Sequence, residues 1–219
     1  QLPVAIGQLT QLTSLTLGLG SNKVNPAEMI SMLQGLPSLL YLYLDCKESQ
    51  TELHCLSTIA RSCPALMHLD IAGADLENVP AEIGDLRRLT HLSLRHCDIF
   101  DDLPDSLSKL TNLRELDLDN VLCELPEGLT ACKQLTSLRV GFDTPTLSTL
   151  RCLRSLSVWA SDSMTEYWTQ LTALTHLCLY MRSTPYPEIA GLTCLRRVEI
   201  LGLDLPELPS GAYIRGLTS

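Results

Sequence analysis

One spacing of apolar residues recurs along this chain and fits neither simple secondary-structure template. In LTNLRELDLDN the leucines at 110, 113, 116 and 118 stand three, three and two residues apart. An amphipathic helix needs steps of three and four, and a half-buried strand needs steps of two. The arrangement returns as LTQLTSLTL (9–17), LPSLLYLYL (36–44), CPALMHLDI (63–71), LRRLTHLSL (86–94), LTNLRELDL (110–118), CKQLTSLRV (132–140), LRCLRSLSV (150–158), LTALTHLCL (171–179) and LTCLRRVEI (192–200). Successive copies begin 18 to 27 residues apart. A self-similar period of that size describes stacked supersecondary units, none able to bury its apolar face alone. In each unit the closing pair of apolar residues fits a short strand with alternate residues inward, and the earlier apolar residues reach the same interior from the preceding turn.

Through L-x-x-L-x-L in each copy, over essentially its whole length, the chain resembles the leucine-rich repeat superfamily. The resemblance implies an α/β solenoid, curved, with a parallel sheet on its concave face. Four segments, LPVAIGQL (2–9), VPAEIGDL (79–86), LPDSLSKL (103–110) and LPEGLTACK (125–133), resemble plant intracellular Ras-group-related repeats. CLSTIARSCPALMHLDI resembles the cysteine-containing repeats of F-box proteins instead, so the copies are mixed. The expected organisation is one repeat domain over residues 1–219, with nine strands. Gln1 to Gly7 reads as the tail of an outer segment and LPSGAYIRGLTS (208–219) as the start of another coil, so the array is expected to be open at both ends and part of a longer one.

Repeat length predicts the outer face. NPAE (25–28) offers Asn25 as N-cap, Pro26 at the first helical position and Glu28 in the first turn, with Gly35 as a stop. Ser49 and Glu52 suggest a capping box before Leu53, Leu56 and Ile59. The long coils therefore close with a helix, and the shorter Leu-Pro coils with extended or single-turn 3₁₀ backbone. The Asn or Cys that the superfamily places three residues after the strand is found only at Cys97, so other groups must satisfy the turn amides.

A net charge of −9 excludes the positive field that draws nucleic acid or anionic lipid. No run of 18 apolar residues occurs, so no membrane span is expected, and Gln1 begins without a charged-then-apolar leader. Nine cysteines without a C-x-x-C pair argue against a zinc site or a disulfide framework, and no Asn-x-Ser/Thr acceptor exists. Both point to an intracellular, cytoplasmic protein. Cys63 and Cys132 replace the first leucine of their copies and read as small core hydrophobes. Cys152 and Cys194 fall about 10 Å apart by strand spacing, beyond disulfide reach.

Catalytic and cofactor chemistry find little support. His176 and Cys178 lie about 6.6 Å apart along one strand, too far for an activated thiol. His68 and His91 share a slot on consecutive strands and could hold a transition metal, but contact with a partner is the reading adopted, with no metal or cofactor. What remains is a surface. Alternation sends Tyr41, Tyr43, His68, Asp70, His91, Arg95, Glu115, Asp117, Arg139, Trp159 and Tyr180 to the concave face, with Phe142 and Met181 one residue further on. Phe142, Trp159, Tyr180 and Met181 come from three consecutive coils and are expected to form one apolar patch. Tyr41 and Tyr43 form a smaller one. Asp70, Glu115, Asp117 and Asp119 make an acidic zone between them, with Arg95 and Arg139 at its margins. The expected function is non-catalytic recognition of a protein or peptide with a basic stretch flanked by apolar groups. The alternatives are the substrate-reading part of a ubiquitin ligase and a structural subunit of a large assembly.

Overall fold

The computed structural model describes residues 4–19, 25–46, 56–99, 101–121, 123–142, 144–159, 170–181, 189 and 191–202. Each leucine signature becomes one short strand. In chain order the strands are β1 (Ser14–Gly18), β2 (Tyr41–Asp45), β3 (His68–Ala72), β4 (Asp75–Leu76), β5 (His91–Ser93), β6 (Asp98–Ile99), β7 (Glu115–Leu118), β8 (Ser137–Val140), β9 (Ser155–Trp159), β10 (His176–Met181) and β11 (Arg197–Gly202). Nine of them form one parallel sheet in the order β1-β2-β3-β5-β7-β8-β9-β10-β11, while β4 and β6 make a small parallel pair of their own.

The register is that of a stack. Leu15, Leu42, Leu69, Leu92, Leu116, Leu138, Leu156 and Leu177 face one another strand by strand. All of them are buried, as are Leu39, Leu66, Leu89, Leu113, Leu135, Leu153 and Leu174 from the turns before the strands. Each contributes about 1.5–3 kcal/mol by leaving water, so the interior column holds the coils together.

Two helices close the long coils. In α1 (Pro26–Gln34), Asn25 Oδ1 accepts the Ala27 N–H at 3.0 Å, and Met29, Met32 and Leu33 turn inward. Gly35 ends this helix, yet for a different reason from the expected one. Its φ is −84°, ordinary right-handed backbone. A Cβ there would stand 1.8 Å from the Gly7 carbonyl oxygen, so glycine is required by the close approach of the first outer turn. The second helix, α2 (Leu56–Ser62), buries Leu56, Ile59 and Ala60. The expected Ser49–Glu52 capping box lies outside the described residues.

The short coils close with 3₁₀ turns at Val4–Gln8, Ala81–Asp85, Asp105–Lys109, Glu127–Ala131 and Pro145–Thr149. Pro80, Pro104 and Pro126 precede the middle three in extended backbone, where their fixed φ fits. Their carbonyls accept the N–H of Ile83, Leu107 and Leu129, which points those apolar side chains into the core. The turn at Pro145–Thr149 carries no Leu-Pro pair. Thr144 fills the proline slot and accepts from Leu147 N–H in the same way.

In the turns after the strands the N–H groups of Leu19, Cys46, Gly73 and His96 donate to backbone carbonyls of the next coil. The backbone itself thus satisfies amides that an asparagine ladder would otherwise serve, and other side chains tie the coils together. Thr90 Oγ1 donates to the Met67 carbonyl at 3.0 Å and Thr175 Oγ1 to that of Arg154 at 3.0 Å, each reaching the coil before. Cys97 Sγ lies 3.5 Å from the Ile71 carbonyl, and Cys132 Sγ 3.4 Å from that of Leu107. Cys63 and Cys132 are thus buried hydrophobes, as expected, whose thiols also meet a backbone acceptor in the previous coil. The turn leaving β3 passes through left-handed backbone at Gly73, and its counterparts in the next two coils do so at His96 (φ 56°) and Asn120 (φ 58°).

A candidate partner-binding face

Strand alternation leaves three lines of side chains on the open face of the large sheet. The first runs Tyr41, His68, His91, Glu115, Ser137, Ser155, His176, Arg197, and the second Tyr43, Asp70, Ser93, Asp117, Arg139, Ser157, Cys178, Glu199. The third holds Trp159, Tyr180 and Leu201 on the last three strands.

The N-terminal half of the first line is a stack of rings. Tyr41 and His68 have centroids 4.5 Å apart and His68 and His91 4.0 Å apart, nearly parallel. Imidazole lone pairs lie in the ring plane, so two stacked faces do not converge on one ion, and no group of three or more metal-binding side chains exists among the described residues. His91 instead contacts Thr90 Oγ1 through Nδ1 at 2.8 Å and Glu115 Oε1 through Nε2 at 3.3 Å. Burial lowers the pKa of His68 below the ordinary histidine value, His91 lowers it further, and Glu115 opposes both.

The acidic zone is largely paired within itself. Arg95 Nη2 stands 3.4 Å from Asp70 Oδ2, and its guanidinium lies over the Tyr43 ring at 5.9 Å. Arg139 Nη1 contacts Asp117 Oδ2 at 3.3 Å, while Asp117 Oδ1 accepts the Asp119 N–H at 3.0 Å. His96 Nε2 approaches Asp119 Oδ2 at 3.9 Å. Burial raises the Asp117 pKa, the backbone bond from Asp119 and the Arg139 charge acting against it. Arg95 and Arg139 are therefore cross-strand partners of the acids rather than a margin around them.

The C-terminal strands carry the apolar part. Trp159 and Tyr180 are paired positions of β9 and β10, and their rings stack at 5.0 Å. Trp159 stays 38% exposed. Leu201, paired with Tyr180 across β10 and β11, is 45% exposed and lengthens the row. The sequence reading missed it, because it follows the inward Ile200 on a strand whose copy ends in V-E-I rather than L-x-L. Phe142 is half-buried one residue past Gly141, just beyond β8. Gly141 itself admits no side chain, since a Cβ would meet the Val121 carbonyl oxygen at 2.6 Å. The row of stacked rings thus runs toward β11 rather than toward Phe142, and Met181 ends β10 with its side chain outside the described set. At the other end Tyr41 is 43% exposed and Tyr43 half-buried beside Arg95.

His176 and Cys178 are not joined as a nucleophile and base. His176 Nδ1 contacts Thr175 Oγ1 at 2.9 Å. The Tyr180 hydroxyl has its pKa raised by burial and then by neighbouring Cys178. Burial also pushes the thiols of Cys63, Cys97 and Cys123 up to about 11, which removes them from thiolate chemistry near neutrality. No helix among the described residues is long and apolar enough to cross a membrane.

Parallel strands, one per repeat, over a column of leucines closed by short helices and 3₁₀ turns define the leucine-rich repeat fold. Comparison with known proteins agrees. The internalin inlF of Listeria monocytogenes superposes with a TM-score of 0.71 at 22% identity, over 93% of this chain and 60% of that one. The Arabidopsis receptor kinase HAESA, solved in complex with the peptide hormone IDA and the co-receptor SERK1, superposes at 0.64 with 24% identity, over 92% of this chain and 36% of that one. In sequence, the protein SUPPRESSOR OF npr1-1, CONSTITUTIVE 1 of Arabidopsis thaliana is 26% identical over 197 residues, which are 89% of this chain and 12% of that protein. No family model matches. The chain therefore spans about an eighth of the curated relative it matches, 60% of the internalin structure and about a third of the receptor structure.

Proposed function

We propose that this chain is a non-catalytic recognition scaffold that holds a protein or peptide against the open, concave face of its sheet. One observation carries the reading: Trp159 and Leu201 remain exposed on either side of Tyr180, on three hydrogen-bonded strands. Large apolar groups fixed on a sheet bind with little ordering cost and are the usual energetic anchors of an interface. HAESA, which shares the fold, was solved holding a peptide, which supports this choice of partner class. Pairing of Asp70 with Arg95 and Asp117 with Arg139 leaves less free negative charge for a basic stretch than the bare sequence suggests. The apolar anchor therefore comes first in the reading and the basic stretch second.

The test is the double variant Trp159→Ala, Tyr180→Ala. Both rings sit on the open face, so the melting temperature is expected to stay within a few degrees of the parent. Capture of peptides selected on the parent chain is expected to fall at least 30-fold, on the order of 2 kcal/mol or more. Undiminished capture by a folded double variant would show that the partner binds elsewhere.

A further inference from the structure

The same face is electrostatically divided along the array. On the open face the strands up to β7 and the turns that follow them carry Asp45, Asp70, Glu115, Asp117 and Asp119 against Arg95, whereas β8 to β11 carry Arg139 and Arg197 against Glu199. The C-terminal strands are thus locally positive on a strongly negative protein. They also hold a depression of about 270 Å³ in the open face, beside the Trp159–Tyr180 pair. Arg139 on β8 and Arg197 on β11 stand at its two ends, and Ser155, Ser157 and His176 line the floor between them.

These side chains are short of acceptors. Arg139 spends Nη1 on Asp117, and Arg197 holds Glu199 through Nε and Nη2, with Nε to Oε1 at 2.7 Å. A guanidinium has five N–H donors, so each keeps some for a ligand. Ser157 Oγ is buried in the floor, beside the Tyr180 hydroxyl. His176 Nδ1 is engaged by Thr175, which leaves Nε2 for the depression. The lining carries two arginines and Glu199, and Asp117 just outside it offsets Arg139, so the fixed charges around the depression are close to balanced. A monoanionic carboxylate can take the donors that both guanidinium groups keep while adding a single negative charge. A dianionic phosphate would meet Glu199 with too little cation to offset it.

We infer that the depression bounded by Arg139 and Arg197 takes the carboxylate of an Asp or Glu side chain on a bound peptide, whose neighbouring apolar residue lies on Trp159, Tyr180 and Leu201. The inference rests on the proposed recognition function and adds the ligand's chemistry. The positioning follows from the sheet: the first two lines of outward side chains hold the acid, and the third holds the apolar group about one side-chain spacing away. Arg139 and Arg197 are separated by three strand intervals and a two-residue offset along the strand, about 16 Å, so a carboxylate midway, about 8 Å from either backbone, can be reached by both extended guanidinium groups.

The test uses the whole 219-residue chain as bait for a displayed library of random twelve-residue peptides. Selected sequences should be enriched in Asp or Glu within three residues of Leu, Phe, Trp or Ile. Arg139→Gln with Arg197→Gln should weaken the best selected peptide at least tenfold, whereas Glu199→Gln, which removes the opposing charge, should tighten it about threefold. A gain cannot come from misfolding, so the pair of variants separates charge recognition from damage. Peptides that depend on Trp159 and Tyr180 but carry no acidic residue, or carry Lys or Arg there, would overturn this inference and leave the recognition function standing. Tighter binding of phosphoserine than of glutamate at the same position would overturn the choice of carboxylate. Peptides indifferent to the Trp159→Ala, Tyr180→Ala change would overturn both.

Discussion

His68 shows how a single side chain on this face is tuned by its neighbours. Its ring lies between those of Tyr41 and His91, and burial together with His91 holds its pKa below the ordinary value near 6.5. A depressed folded pKa means the native state prefers the neutral ring. The associated stability is present above pH about 6.5 and is lost as pH falls through the folded value. Asp117 acts in the opposite sense: its raised pKa stabilises the fold at low pH, and this is lost as pH rises through the folded value. Comparison with His68→Phe removes the Asp117 contribution, which both proteins share. Between pH 7.5 and 5 the melting temperature of the parent is expected to fall further than that of His68→Phe, and equal slopes would show that the stack does not sense protonation. The thiols give a second residue-scale prediction. At pH 8 a thiol with a pKa of about 11 is thiolate in roughly one molecule per thousand, and Cys63, Cys97 and Cys123 are also buried. Brief iodoacetamide treatment followed by peptide mass mapping should modify the exposed Cys152 and Cys194 first and the buried three only after denaturation. Early modification of Cys97 would mean that its coil opens readily.

Among the elements, strands were readable from sequence and turns only in part. The nine alternating apolar pairs, five of them L-x-L and the rest with Ile or Val, locate all nine strands of the large sheet, because alternation is what puts both members of a pair on one side of so short a segment. Helix α1 was equally legible, since its cap, its Pro and its inward Met29 and Leu33 are all local signals. The 3₁₀ turn at Pro145–Thr149 lacked a Leu-Pro signature, and the left-handed backbone of His96 is imposed by stacking between turns that prefer Gly and Asn. Gly35 is the sharpest case. It looks like a conformational stop, but its φ is ordinary and the constraint comes from Gly7, 28 residues earlier in the sequence. Gly35→Ala should therefore cost about 1–3 kcal/mol, the range of an overpacked interior. Gly18→Ala, where nothing lies within 4 Å of the new methyl, should be nearly silent. Denaturant titration of the two variants makes the comparison, and equal midpoints would show that the Gly7 contact yields easily. The binding face was legible to the same depth. Alternation identified which side chains point outward, but ion pairing such as Arg95 with Asp70 depends on rotamers across strands, which no spacing encodes.

At the level of the whole molecule, the chain is a one-dimensional stack in which each coil touches the coil before and the coil after. Strand neighbours in space are neighbours along the array from β1 to β11, with no long-range crossover among the described residues. Stability in such an array is close to a sum of coil terms and nearest-neighbour terms, so damage spreads locally. Leu116 tests this because it is buried in the middle of the leucine column, facing Leu92 on one side and Leu138 on the other. Leu116→Ala removes about 2–5 kcal/mol from the interior at that level. Hydrogen exchange is expected to accelerate in β5, β7 and β8, whose contacts the leucine supplies, and much less in β1 and β2, several coils away. The apolar row on β9 to β11 lies beyond the damaged coils, so peptide capture should survive while overall stability falls. Uniform acceleration from β1 to β11 would instead mean that the leucine column melts as one cooperative unit, and then binding on the C-terminal strands would be lost together with the central leucine.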